Sequence, residues 1–238
     1  MKKSFEEKFD CYSKEDGNAW GINWRSSHYK RMEDIIAIIR PFLKQQHLRV
    51  LEAGCATGDM TELILRNIKD LEVYDAFDIS KKAVSICKGK GLNSKCHWFV
   101  GNLADLQLDR KYDFIICCDV ICYLSAYHHK KCLDNFYEHL ECGGRLFVCV
   151  PYDQKEVRRL EKARGRFVVE HKQMGFLWLW CKIEFAILKH YNKLNKRGAA
   201  KILRKVIANH KLAEYCVWIN RKVFPNKYSH MYMLLKKE

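Results

Sequence analysis

From residue 48 onward, short apolar runs alternate with segments of helical spacing, and few folds satisfy that alternation. Residues 48–53, 71–77, 95–100, 112–118 and 145–150 read as buried strands. Helical segments at 58–67, from Ser80 onward and at 128–140 lie among them. Strands parted by helices pair in parallel, and the helices cover both faces of the sheet. Right-handed crossovers then bring the carboxyl ends of the strands to one edge, where ligands bind. The expected class is α/β, a Rossmann-like, doubly wound and mostly parallel sheet. Gly143-Gly144 is expected to close the helix at 128–140, and the alternation at 229–235 predicts a terminal strand.

The regions on either side of 48–152 read differently, although all three belong to one structural domain. Residues 1–47 open polar, pass through an aromatic stretch, and end in a cap helix with Ile35, Ile36, Ile38, Ile39, Phe42 and Leu43 on one broad apolar face. Residues 153–238 read as mainly helical and basic, completing the sheet at their end. Residues 1–150 carry 22 Lys and Arg against 21 Asp and Glu, whereas 151–238 carry 21 against 7. Nearly all of the +15 formal charge therefore sits in the last region. Such asymmetry predicts a face that meets something anionic, a nucleic acid, a lipid headgroup or an acidic metabolite; a solvated lysine-rich helical surface is the plainer alternative.

Composition narrows the classes further. The twelve cysteines form no C-x-x-C pair, and many, such as Cys117, Cys118 and Cys149, sit in apolar runs, so packed thiols are expected and no metal site. No apolar run opens the chain, which sets a cytoplasmic expectation, with peripheral membrane attachment as the alternative. The apolar stretch at 176–188 is short and interrupted by Lys182 and Glu184, so it cannot span a bilayer. It reads either as a helix buried on the sheet or, with Lys172, Lys182 and Lys189 nearby, as an interfacial helix.

Chemistry enters at Val50-Leu51-Glu52-Ala53-Gly54-Cys55-Ala56-Thr57-Gly58, where a buried strand runs through a glycine turn into a helix. Gly54 permits a close backbone approach to a ligand, and Gly58 sits where the helix begins, with free N–H groups able to receive a carboxylate. A dinucleotide fingerprint wants glycine at the first, third and sixth positions from Gly54, and here those are Gly54, Ala56 and Asp59. The pattern is instead Glu-x-Gly-x-x-x-Gly.

That pattern resembles the first motif of class I methyltransferases, and the resemblance continues in order to residue 150. It implies S-adenosylmethionine as cofactor, with S-adenosylhomocysteine as its product, no metal, and a sheet of about seven strands with helices on both faces. By this resemblance Glu52, Gly54, Cys55 and Gly58 form the first cofactor loop. Asp78, followed by Ile79, ends the second strand and would accept the ribose hydroxyls. Asn102 and Leu103 match the pair that contacts adenine, although the family more often has Asp at the first of them. Asp119 matches the acidic position after the fourth strand, and Gly143-Gly144-Arg145 the turn before the fifth. Asn18-Ala-Trp20-Gly-Ile-Asn-Trp24 with Ser27-His28-Tyr29-Lys30-Arg31 is similar to the cap of the nodulation-type N-methyltransferases and their small-molecule relatives. Asp119-Val-Ile-Cys-Tyr123-Leu124 is similar to their fourth-strand segment.

Methyl transfer needs an in-line nucleophile and exclusion of water more than a special functional group. Where the acceptor must lose a proton, Tyr123 and His128, just beyond the fourth strand, are the candidate catalytic residues, and His129 reads as helix-start surface. Trp20, Trp24 and Tyr29 could form a water-excluding lid, or pack a helix on the core. The expected acceptor is a nitrogen or oxygen nucleophile of a small molecule such as a sugar, glycan or secondary metabolite. RNA, a lipid-linked substrate, and a non-catalytic cofactor-binding role are the alternatives.

Overall fold

A computed structural model describes residues 24–191 and 198–238. Trp20 lies outside them. Helix α1 (Ser26–Ile39) precedes β1 (Leu48–Ala53), α2 (Asp59–Leu65), β2 (Leu71–Asp78), α3 (Lys81–Gly89), β3 (Cys96–Val100) and β4 (Tyr112–Cys118). Then come α4 (Ala126–His139), β5 (Leu140–Pro151), α5 (Gln154–Ala163), β6 (Val168–Gly175), α6 (Trp178–Tyr191), α7 (Gly198–Ile207), α8 (His210–Val223) and β7 (His230–Lys236). The seven strands form one sheet in the order β3-β2-β1-β4-β5-β7-β6. Strands β1 to β5 pair in parallel, and β7 runs antiparallel between β5 and β6.

Period-two alternation makes this sheet a divider between two cores. Along β5, Leu146, Val148 and Val150 join one apolar cluster, and Phe147 and Cys149 join the other. Met231, Met233 and Leu235 of β7 alternate with Tyr232 and Leu234 in the same way. Helices α4 and α5 cover the first face through Leu133, Phe136 and Leu160, while α1 covers the second through Ile35 and Ile39. The strands read from sequence at 48–53 and 112–118 match β1 and β4, because a strand buried on both faces is a mostly apolar run, here interrupted only by Arg49, Glu52 and Asp113.

Four expectations need correction. Strand β5 starts at Leu140, directly after α4, so Gly143-Gly144 is not a helix stop. The two glycines lie inside the strand, where its register with β4 slips, and a Cβ on Gly144 would fall 2.9 Å from the Glu141 carbonyl oxygen. Strand β6 fell in the stretch read as helical. It is an edge strand whose exposed Glu170, His171 and Lys172 give no apolar alternation, as edge strands that resist further pairing commonly do. His129 is buried, because α4 turns it inward with Cys132, Leu133 and Phe136. The apolar stretch at 176–188 does not lie on the sheet. As α6 it packs with α8 in a third cluster of Leu177, Trp180, Ala213 and Cys216.

Phe147 is fully buried at the centre of this arrangement. Phe147→Ala should cost about 3–5 kcal/mol in urea unfolding. Val168→Ala on the exposed edge strand should cost less than about 0.5 kcal/mol. Equal losses would mean that the sheet's interior is not the main source of stability.

Candidate active site

Strand β1 lies between β2 and β4, so the chain diverges at its end and leaves a crevice there. Three residues of the loop crossing that crevice adopt left-handed backbone: Gly54 (φ 76°), Ala56 (φ 46°) and Gly58 (φ 80°). Glycine is obligatory at 54, because a Cβ there would sit 2.1 Å from Val120 Cγ2. Ala56 bears the strain of that conformation and is held by Asp78, whose Oδ2 accepts its N–H at 3.0 Å. The other oxygen, Oδ1, accepts the Ser80 N–H at 2.9 Å. These bonds hold the Asp78 carboxylate at the wall of the cavity beside the loop.

Around this loop lies a cavity of about 650 Å³. Its sheet-edge side is lined by Glu52, Gly54 and Cys55, by Phe77, Asp78 and Ile79, and by Asn102 and Leu103. Asp119, Val120 and Tyr123 line it as well. Burial raises the Glu52 carboxyl, partly offset by hydrogen bonds from Thr61 Oγ1 at 2.5 Å and Tyr74 Oη at 2.7 Å. Asn102 is exposed, and its side-chain oxygen caps the Ala104 N–H at 3.0 Å. Leu103 is buried and lends an apolar wall.

Not every residue singled out from sequence reaches the cavity. Gly58 sits behind the loop as the N-cap of α2, where a Cβ would meet Cys87 Sγ at 3.1 Å. His128 lies in the first turn of α4, with Nδ1 2.8 Å from Oγ of the N-cap Ser125, and is not among the lining residues. Trp24 stacks under the Arg204 guanidinium at 5.2 Å, and Tyr29 meets His210 edge-on at 4.5 Å. Neither lines the cavity, because α1 turns a different face toward it.

That face carries Arg25, His28, Arg31 and Met32, at helical spacing. Opposite them stand Trp178 and Lys182 from α6 and His230 from β7. Sequence reading passed over His28, Arg31 and His230 as site residues. The helical spacing of 25, 28, 31 and 32 was a signal, but only the packing of α1 shows which face looks inward. Arg31 ion-pairs with Asp119, which is itself left-handed (φ 57°) at the end of β4. Such strain in a non-glycine residue is characteristic of functional sites. His230 Nε2 lies 3.9 Å from Asp119 Oδ1. His230 Nδ1 and Arg31 Nε are buried without a hydrogen-bond partner among the described residues. Burial first, then Arg31 and Arg25, hold the His28 imidazole well below its ordinary value.

A buried polar pin fastens this cap to the C-terminal helices. Glu184 is fully buried, and its Oε2 accepts from Arg25 Nη2 at 2.6 Å and Ser27 Oγ at 2.5 Å. Trp180 Nε1 donates to Ser26 Oγ at 2.9 Å, and that hydroxyl donates to the Ile207 carbonyl. Among the described residues, no group of three metal-ligating side chains comes together, and no helix is long and apolar enough to cross a membrane.

Comparison with known proteins agrees with this geometry. A family model described as "Methyltransferase domain" matches residues 25–205. Malonyl-[acyl-carrier protein] O-methyltransferase of Priestia megaterium is 26% identical over 101 residues, covering 42% of this chain and 36% of that protein. Nodulation protein S of Azorhizobium caulinodans is 29% identical over 103 residues, covering 43% and 48%. The chain therefore spans between about a third and a half of the length of these curated relatives. Among solved structures, N-methyltransferase NodS of Bradyrhizobium japonicum, in complex with S-adenosylhomocysteine, shares the fold with a TM-score of 0.61. Its identity is 16%, and the match covers 71% of this chain and 89% of that one.

Two outcomes test this site. Glu184→Ala strands the Arg25 charge in the interior and should cost about 3–5 kcal/mol in urea unfolding, against less than about 1 kcal/mol for Glu33→Ala in the exposed Lys30–Glu33 pair. Burial and then Arg31 push His230 down to about 3. An unfolded histidine titrates near 6.5, so between these values the unfolded chain binds a proton that the fold refuses. Stability is then full above about pH 6.5 and is lost as pH falls toward about 3. Calorimetric melting at about pH 7.5 and about pH 5 should show a smaller drop for His230→Asn than for the wild type; equal drops would mean that the folded imidazole accepts the proton.

Proposed function

The chain belongs to the methyltransferase-domain family, and on that premise we propose that it transfers a methyl group from S-adenosylmethionine to a nitrogen or oxygen nucleophile of a small molecule. The observation that carries the reading is Asp78. Its carboxylate ends β2 beside the left-handed loop and lines the cavity, and its two oxygens are the acceptor type that suits a pair of ribose hydroxyls. Leu103, Ile79 and Phe77 supply apolar surface for an adenine ring, and Glu52 and Gly54 border the remainder of the cofactor. Bound S-adenosylmethionine supplies a methyl group made electrophilic by its sulfonium charge.

The protein's own contribution is position and dryness. The cap helix α1 and the start of α6 wall the far half of the cavity with Met32, Leu177 and Trp178 and so limit water at the reacting centre. An acceptor that loses a proton on methylation can pass it to the Asp119 carboxylate, which lines the cavity at the end of β4, while the Tyr123 hydroxyl lines the same cavity and can hydrogen-bond the acceptor. His128 has no such access. The relatives include an N-methyltransferase and an O-methyltransferase by name, which supports either nucleophile. A cavity of about 650 Å³ suits a cofactor with a small acceptor beside it.

Calorimetric titration tests the reading directly. S-Adenosylmethionine and S-adenosylhomocysteine should bind the wild type, and Asp78→Ala should weaken both by about 1.5–3 kcal/mol, the worth of hydrogen bonds to a charged group. Gly54→Ala should abolish binding, because its Cβ displaces Val120 from the cavity wall. A folded wild type that binds neither compound would refute the assignment.

A further inference from the structure

Helix α8 is apolar on two sides, and only one of them is accounted for by the fold. Ala213, Cys216 and Asn220 turn inward against α6. On the opposite side, as the helical repeat dictates, lie Lys211, Tyr215, Trp218 and Lys222. Tyr215 is 58% exposed and Trp218 56% exposed, and their rings stack at 5.9 Å and 14° in solvent. Val223 at the end of α8 (61% exposed) and Ile202 on α7 (65% exposed) are exposed as well.

The charge around these groups is almost wholly positive. Between 198 and 227 the chain carries seven Lys and Arg against the single acid Glu214. No ion pair joins Lys201, Lys205, Lys211 or Lys222 to a carboxylate among the described residues.

We propose that α8, with the neighbouring end of α7, seats on an anionic phospholipid surface, its Tyr215–Trp218 pair in the headgroup region and its lysines against the lipid phosphates. Amphipathic rings favour that depth, where the ring body is dry and the polar edge wet. Lysine stems lie along apolar surface while their ammonium groups reach the headgroups. Charge complementarity selects this partner over a second copy of the chain, since a twofold contact would set the unpaired lysines against one another. The Tyr215 and Trp218 rings lie against each other and leave no gap for a base to insert between them, which favours lipid over nucleic acid. Helices α1 and α6, which wall the cavity, both pack against α8, so the surface lies one helix beyond the proposed acceptor site. The inference goes beyond the methyl-transfer reading and does not depend on it.

Vesicle flotation of the full chain tests the proposal, with phosphatidylcholine vesicles and with vesicles containing about 30 mol% phosphatidylserine. The chain should float with the second and not the first. Tyr215→Ser with Trp218→Ser should reduce binding at least tenfold, as should Lys211→Glu with Lys222→Glu, each with an unchanged thermal midpoint because all four side chains are exposed. Failure to float with the anionic vesicles overturns the proposal, and so does flotation that either double variant leaves intact. Loss of flotation in the presence of yeast tRNA, with tRNA binding abolished by the same substitutions, would overturn it in favour of nucleic acid.

Discussion

The candidate site hangs on the divergence of the chain at the end of β1. With β2 on one side of it and β4 on the other, the loops leaving these strands must part, and the space between them becomes the cavity. The loop from Gly54 to Gly58 crosses that space only by turning left-handed three times. The Asp78 carboxylate, at the end of the neighbouring strand, secures the middle turn by accepting the Ala56 amide. One side chain thus joins two strand ends and shapes the loop, and it is also the group proposed to receive a ribose.

The other half of the cavity is built on a different principle. Its walls come from α1, α6 and β7, which are distant in sequence, and it is held together by buried charge rather than by backbone pairing. Glu184 neutralises Arg25, and Asp119 neutralises Arg31, so two guanidinium groups can stand beside two neutral histidines without an unbalanced interior charge. Such pairs add little net stability over apolar packing, but they are costly to break, which fixes the cap in one position over the sheet edge. Asp119 belongs to both halves, as the end of β4 and as the partner of Arg31.

Legibility in the sequence followed the same division. Strands buried on both faces announced themselves as apolar runs, and β1 and β4 were readable to the residue. The edge strand β6 was not, since solvent on one edge and charge along its length leave no periodic signal. Gly143-Gly144 misled because glycine marks a helix end and a strand irregularity equally well. Most residues of the loop after β1 were legible because their spacing is local, whereas Trp24 and Tyr29 were singled out for their aromatic rings and His128 for its place after the fourth strand, and these three do not line the cavity.

The sequence by itself determined the alternation of strand and helix, the Glu52-to-Gly58 loop, the Asp78 carboxylate at a strand end, and the concentration of positive charge in the last region. These depend on composition and spacing within a few tens of residues. Only the tertiary structure decided that Arg25, His28 and Arg31 face the cavity, that Glu184 and Asp119 receive two of them, and that Tyr215 and Trp218 remain on the outside. The reason is rotational: a helix such as α1 or α8 offers apolar and charged groups on several faces, and which face turns inward is set by what packs against it.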